Sequence, residues 1–358
     1  MGLLKELNAF RRKYSRKLAK NIGRSQPGQS FDKIAAGEIK TILINRPNHR
    51  LGNMLLITPL LQELIANFPQ SKIDLFVKGG LAPVLFKNYP QVDKIIRLPK
   101  KPFKELIKYA RVWVKIRQRK YDLVINVDKV SSSGRISTKV ANARFKFFGD
   151  ENEAILSLYK DGNHMAKRPV YLLRQNIELP VTGRQTSYIP SLNIRLADEE
   201  LAEGKRLLDA LVPQDKKTIS LFTYATGAKC YTPDWWDTFY QLLQNRFPSH
   251  NFLEVLPAEN VSQLNFKIPS FYSMDVREIC AVIANTAVFI GADSGMMHLA
   301  SASGTTTFGL FSVTNLLNYA PFNNGSMGFN TNDLSVEELI KSIAASMEAR
   351  GHQPPVII

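Results

Sequence analysis

The chain has 358 residues, 44% of them hydrophobic and 10% aromatic, which is long for one hydrophobic core and makes two domains the natural expectation. Its 47 Lys and Arg against 31 Asp and Glu leave a formal net charge of +16, a field that favours anionic partners such as nucleic acid, an anionic membrane surface or a phosphorylated substrate. Apolar runs such as LLITPLL are short and interrupted, the N-terminus lacks the continuous apolar stretch of a secretory signal, and Cys230 and Cys280 form neither a disulfide framework nor a metal spacing, so a cytoplasmic, reduced protein is expected.

Residues 1–37 read as a basic amphipathic helix and a linker. Leu3, Leu7, Phe10, Tyr14 and Leu18 recur at helical spacing, while Lys5, Arg11, Arg12, Lys13, Arg16, Lys17 and Lys20 occupy mostly the other faces. Such a helix suits the surface of an anionic bilayer; a terminal helix docked on its own protein, or a solvated tail, is the alternative. The segment QPGQS, residues 26–30, leads into the folded part.

From there, strand-like and helix-like runs alternate, the pattern of parallel α/β folds. KTILIN (40–45) reads as a strand, followed by a loop and an amphipathic helix from Asn53 to Phe68. KIDLFVK (72–78), DKIIRL (93–98) and DLVINV (122–127) follow as strands with helices between them, rich enough in Ile, Leu and Val for a sheet covered on both faces. In the basic stretch 97–120, Phe103, Leu106, Ile107, Ala110 and Val114 make the stripe expected to be buried, with the cations outside. Those cations form either an ordinary solvated face or a surface for the phosphates of a lipid-linked acceptor. No nucleic-acid motif and no interleaved aromatics accompany them, so a nucleic-acid partner is not expected.

A less regular stretch from Gly149 to Arg195 leads to the helix in LADEELAEGKRLLDALV, and the scheme restarts. KTISLFT (217–223) is a strand with a helix from Asp234 to Phe247 after it; NFLEVL, AVFIG and TTTFGLF continue the sheet. Ser335-Val-Glu-Glu makes a capping box at the start of the last helix, whose apolar face is Val336, Leu339, Ile340 and Ile343. The architecture expected is two facing Rossmann-like α/β domains, residues 38–190 and 191–358, with ligands at the carboxyl ends of the strands.

Three loops at such strand ends carry unusual residues. In GADSGMMHLA (291–300), Asp293 and Ser294 are N-cap residues and Gly295 lets a ligand approach the backbone. The N–H groups of Ser294, Gly295 and Met296, with the helix dipole, make a site for a phosphate or pyrophosphate, and His298 adds a donor one turn on. The alternative is a capped helix behind a buried strand, with His298 packed inside. In RPNHRLGNMLL (46–56), Gly52 and Asn53 put a small residue and a cap at a helix start, with Arg46, His49 and Arg50 crowded around. This is either a cleft for an anionic acceptor or a polar turn. In TYATGAKCYTPDWW (223–236), Thr226 and Gly227 can contact a ligand, and Lys229 can supply a positive charge to a leaving diphosphate or simply be solvated.

Taken in order, HRLGNMLLITPL, GAKCYTPDWW and GADSGMMHLASASG resemble the R-x-x-x-x-G-D loop with its L-x-x-x-P helix, the K-x-W loop and the D-[ST]-G-x-x-H-x-A segment of the bacterial lipopolysaccharide heptosyltransferases, glycosyltransferase family nine. YDLVINVDKVSSS (121–133) is similar to that family's strand with its D-x-Q-type loop, and the resemblance spans about residues 40–345. It implies a GT-B fold, a cytoplasmic enzyme peripheral on the inner membrane, and metal- and cofactor-independent inverting transfer of a sugar. The implied donor is a nucleoside diphosphate sugar, ADP-heptose above others, and the acceptor an anionic glycolipid of the lipopolysaccharide core. Carried across, Thr226, Gly227, Asp293, Ser294, Gly295, Met296 and His298 hold the donor, Lys229 stabilises the leaving group, and Glu259 reads the ribose. Arg46, His49, Arg50 and Gly52 lie on the acceptor side.

The chain departs from the family at Cys230 and Tyr231, where Arg and Trp are usual, and above all at Asn53, which stands in place of the aspartate base. An amide cannot accept a proton at neutral pH. Three explanations follow: another base such as Asp128 or His49, a phosphate taking the proton, or a catalytically silent protein that binds a nucleotide sugar or glycolipid. A nucleotide-dependent oxidoreductase is disfavoured, because R-L-G-N rather than G-x-G-x-x-G follows the first strand.

Overall fold

The computed structural model describes residues 39–99, 105–150, 157, 159–177, 179–181 and 188–350. The basic helix expected within residues 1–37 lies outside them. The chain divides into two compact units between Pro190 and Ser191.

In the first unit, β1 (Thr41–Arg46) leads through α1 (Leu51–Leu55) and α2 (Thr58–Asn67) to β2 (Lys72–Lys78). Then come α3 (Ala82–Leu85), β3 (Val92–Leu98), α4 (Leu106–Gln118), β4 (Lys120–Asn126), α5 (Ser132–Val140), β5 (Asn142–Phe147) and α6 (Arg168–Asn176). The strands pair in the order β3-β2-β1-β4-β5, and every pair is parallel. After β3 the chain returns to the other side of β1, so the topological switch point lies between β1 and β4.

Two readings of the sequence change here. The helix expected from Asn53 to Phe68 is two helices, α1 and α2, because Pro59 near the start of α2 has no N–H to continue the ladder of α1. The stripe of α4 is also different. Leu106, Ile107 and Val114 are 63%, 69% and 50% exposed, and Ala110 is exposed with them. The helix instead packs through Tyr109, Val112, Trp113 and Ile116, an equally good helical repeat that carries the larger rings. These meet Leu43, Phe76 and Val124 on the sheet, with the Trp113 and Phe76 rings 5.9 Å apart. Phe103 lies outside the described residues. A buried bidentate pair, Arg174 to Glu63 at 2.7 and 2.9 Å, ties α6 to α2.

The second unit opens with α7 (Asp198–Asp209), β6 (Thr218–Phe222), a 3-10 turn (Gly227–Lys229), α8 (Pro233–Arg246) and β7 (Asn251–Val255). It continues with β8 (Ser270–Phe271), α9 (Val276–Ala284), β9 (Val288–Ala292), α10 (Gly295–Ala302), β10 (Thr306–Phe311), α11 (Leu316–Tyr319), β11 (Met327–Asn330) and α12 (Val336–Arg350). The order β11-β10-β9-β6-β7-β8 is again parallel throughout, with its switch point between β6 and β9. The central strands β6, β9 and β10 are buried along their whole length, as a sheet covered on both faces requires. Against one face pack Trp236, Phe239 and Leu243 of α8 and Leu339, Ile340 and Ile343 of α12. The capping box of α12 forms as expected, with the Ser335 N–H donating to Glu338 and the Glu338 N–H to Ser335 Oγ.

Candidate functional site

In each unit one ion pair spans the switch point. In the first, Arg46 closes β1 and Asp128 follows β4; Nη1 of Arg46 donates to Oδ2 of Asp128 at 2.8 Å. The Arg46 side chain is 3% exposed and that of Asp128 22%. Nη2 of the same guanidinium donates to Oδ1 of Asn53. Three of the residues singled out in the sequence therefore form one cluster, and Arg46 is its centre. Oδ1 of Asp128 accepts the Val130 N–H at 3.1 Å, which fixes the carboxylate in the loop.

Asn53 is not a cap. Helix α1 begins at Leu51 with the extended Arg50 at the cap position, so Asn53 sits in the first turn and its carbonyl oxygen serves Arg46 rather than the backbone. Arginine has donors only, so this contact determines the amide orientation: oxygen to Arg46, NH₂ away from it. Gly52 is buried, while His49 and Arg50 are exposed on the connecting loop. Beyond Asp128, Ser131 caps α5 by accepting the Gly134 N–H.

In the second unit, Lys229 ends the 3-10 turn after β6 and its ammonium donates to Oδ2 of Asp293, just after β9. Asp293 is 7% exposed and Lys229 34%, so the pair has a buried acid and a solvent-facing base. An ammonium has three donors; Asp293 takes one and directs the others outward. Ser294 is the N-cap of α10, its Oγ accepting from the Met297 N–H, and Gly295 and Met296 occupy the first turn, where N–H groups have no partner within the helix. His298 is 5% exposed and its ring lies 6.4 Å from that of Tyr319, so it packs within the unit.

Thr226 and Gly227 are exposed, and Gly227 has φ of +67°, a left-handed conformation that glycine adopts without strain and that sets the turn carrying Lys229. Tyr231 forms the wall after it, stacked on Trp235 at 4.3 Å and bonded through its hydroxyl to Thr331. Glu259 is exposed on the loop after β7. Because β9, β6, β7 and β8 are adjacent and parallel, Asp293, Lys229, Glu259 and the loop after β8 follow one another along the carboxyl edge of one sheet. Tyr272 and Met274, exposed after β8, extend that edge, and the Tyr272 hydroxyl reaches the Ala258 carbonyl at 3.4 Å.

One supporting group lies outside the three loops and carries a sequence signal of its own. Glu254 lies in the otherwise apolar strand NFLEV and is fully buried. It accepts from the hydroxyls of Thr223 and Ser262 and so ties the loop after β6 to the loop after β7. Burial pushes its carboxyl above the usual glutamate range, against the two hydroxyl bonds that favour the charged form. A charged residue inside a buried strand is the mark that could have identified it. Among the described residues no three His, Cys, Asp or Glu side chains converge as a metal site, and no helix is long and apolar enough to cross a membrane.

Residues 109–341 match the sequence profile of glycosyltransferase family 9 (heptosyltransferase). The chain belongs to that family. As a family 9 glycosyltransferase it is an enzyme, and a silent binding protein is not the reading its relatives favour. Lipopolysaccharide heptosyltransferase 3 of Escherichia coli K12 is 24% identical over 295 residues, 78% of this chain and 84% of that one. The glycosyltransferase family 9 structure from Veillonella parvula superposes with a TM-score of 0.67 at 17% identity, covering 90% of this chain and 99% of that one. E. coli ADP-heptose lipopolysaccharide heptosyltransferase II gives 0.64 at 15% identity, over 87% and 100%. E. coli heptosyltransferase WaaC, solved with ADP, gives 0.62 at 16%, over 87% and 99%. These likenesses establish the two-domain GT-B fold.

Proposed function

We propose that the protein is an inverting, metal-independent heptosyltransferase that moves heptose from ADP-heptose to the lipopolysaccharide core at a membrane surface. The observation that carries the reading is the Lys229–Asp293 pair across the switch point of the second unit, next to the start of α10. The relatives named above add weight, since one was solved with ADP and another is named for ADP-heptose.

In this reading residues 191–358 hold the donor. Asp293 orients Lys229, whose remaining N–H donors meet the diphosphate, while the N–H groups of Gly295 and Met296 and the dipole of α10 bind its other oxygens. A neutral Lys–Asp pair lets the helix end supply the net positive field. Thr226 and Gly227 line the approach, Glu259 accepts from the ribose hydroxyls, and Tyr272 and Met274 offer an apolar surface to the base. His298, being packed inside, supports α10 rather than meeting the ligand directly.

Residues 38–190 bind the acceptor, with Arg50 and His49 exposed toward anionic groups. The acceptor oxygen forms a bond to the anomeric carbon while the bond from that carbon to the diphosphate breaks. The electron pair leaves with ADP and the proton passes to Asp128. One displacement inverts the anomeric configuration. Asn53, with its oxygen held by Arg46, donates from its NH₂ to the acceptor oxygen and positions it, which moves the base from position 53 to Asp128.

The test is turnover with ADP-heptose and a lipopolysaccharide core acceptor, reading ADP release and the anomeric configuration of the product by NMR. Inverted product is expected, and Lys229→Ala should lower kcat/KM by about 10²-fold, the usual effect of losing one leaving-group donor. Preference for another nucleotide sugar would overturn the donor assignment, and wild-type kinetics in Lys229→Ala would remove that residue from the site.

A further inference from the structure

Helix α4 is anchored from one side. Val112 and Ile116 are buried and Tyr109 and Trp113 half-buried against the sheet, and this stripe turns the helix toward it. At 100° per residue, Leu106, Ile107, Ala110 and Val114 fall on a neighbouring, outward stripe, which the fold leaves in solvent. Exposed Lys108, Arg111, Lys115 and Arg117 border it, and residues 106–118 contain no acid. The nearest carboxylate, Glu105, is paired with Lys108 at 2.9 Å.

Among the described residues, the outer faces of α7 and α8 differ from that of α4. The outer face of α7 carries Glu203, Lys205 and Arg206, with Arg206 bonded to Glu203 and Lys205 to Asp209. The outer face of α8 is Asp234, Thr238, Gln241, Gln244 and Arg246. Charges of both signs, or neutral polar groups, are what a helix facing water carries; large aliphatic groups rimmed by one sign of charge are what a helix lying in a charged interface carries.

We propose that this face of α4 is the surface by which the protein docks on an anionic phospholipid bilayer. Leu106, Ile107 and Val114 insert at the boundary between headgroups and acyl chains, and Lys108, Arg111, Lys115 and Arg117 meet the lipid phosphates. The occupant follows from charge: an apolar stripe alone would accept any hydrophobic partner, whereas a stripe with an all-cationic border selects a surface that is apolar beneath and anionic above. This deepens the membrane-surface part of the function proposed above and locates it on one helix.

The experiment is sedimentation of the full chain with phosphatidylglycerol-containing vesicles and with phosphatidylcholine vesicles, alongside transfer to a water-soluble, delipidated core oligosaccharide. Wild type is expected to bind the anionic vesicles and to be released by high salt. The triple variant Leu106→Gln, Ile107→Gln, Val114→Gln should lower the partition coefficient by at least about tenfold, given the apolar area each side chain would bury. The pair Arg111→Gln, Lys115→Gln should remove the preference for anionic lipid. All of these positions are exposed, so melting temperature and soluble-acceptor transfer should stay at wild-type values. Unchanged vesicle binding in the triple variant, or no binding by wild type, overturns the proposal. Loss of soluble-acceptor transfer in the variants also overturns it, because the helix then serves the acceptor site itself. A wild type that binds vesicles through α4 but transfers no heptose would refute the proposed reaction and leave this surface standing.

Discussion

At Asn53 the side chain cannot be the base, yet its environment is not that of an idle residue. Arg46 is buried, offers only donors, and divides them between a carboxylate and an amide oxygen. This is an arrangement for holding two side chains in register. It predicts that Asp128→Asn will lower kcat by about 10²–10⁴-fold, the range for losing a general base, with nucleotide affinity unchanged. Single-turnover kinetics and nucleotide titration on the same preparation check it, and near-normal turnover would remove Asp128 from the mechanism. Position 53 itself was legible in the sequence as a departure from the family's motif. That Arg46 joins it to Asp128 was not, because the two are brought together by the pairing of β1 with β4 and not by any local spacing.

At the scale of elements, periodicity and capping located most of the fold. The strand at 72–78, the capping box at Ser335 and the helix that follows Asp293 are local features, and each forms where its residues indicate. In α4 two helical repeats are interleaved in one segment, and only the neighbouring sheet decides which of them is buried. The strands β5, β8 and β11 have no plain sequence signature: β5 carries Arg144 and Lys146, and the other two have two and four residues. Close packing of helices is likewise invisible in sequence. Gly204 of α7 faces α9 so closely that a methyl group there would lie 2.3 Å from the Ala281 carbonyl carbon, a backbone atom that cannot turn aside. Beside it, Arg277 of α9 grips Glu200 of α7 with two bonds of 2.6 Å. Gly204→Ala should therefore destabilise the second unit by about 1–3 kcal/mol, despite alanine's better helix propensity. Chemical denaturation checks this, and a stabilised variant would mean that the two helices separate more easily than their packing indicates.

At the scale of the whole molecule, the same parallel order arises twice, and each unit puts a cation and an aspartate across its switch point. In the proposed function the two pairs divide the labour, the second standing at the start of α10, where the N–H groups of Gly295 and Met296 have no partner within the helix. Hydrogen exchange of the full chain with ADP should accordingly show protection at residues 224–230 and 293–297 and little change at residues 46–53. Protection centred on the first unit would reverse the assignment of donor and acceptor sides. The net charge of +16 is unevenly spread too: exposed cations line α4, whereas the Lys229–Asp293 pair is formally neutral.

The sequence alone determined the alternating α/β class, the turns at the strand ends and the residue types placed on them, because these depend on local periodicity, backbone conformation and capping. It also carried the family motifs in order. Tertiary structure decided which of those residues meet: Arg46 with Asn53 and Asp128, Lys229 with Asp293, and which face of α4 remains outside. Those outcomes depend on strand order and on competition between side chains for one sheet surface, and both are settled only when segments distant in the chain pack together.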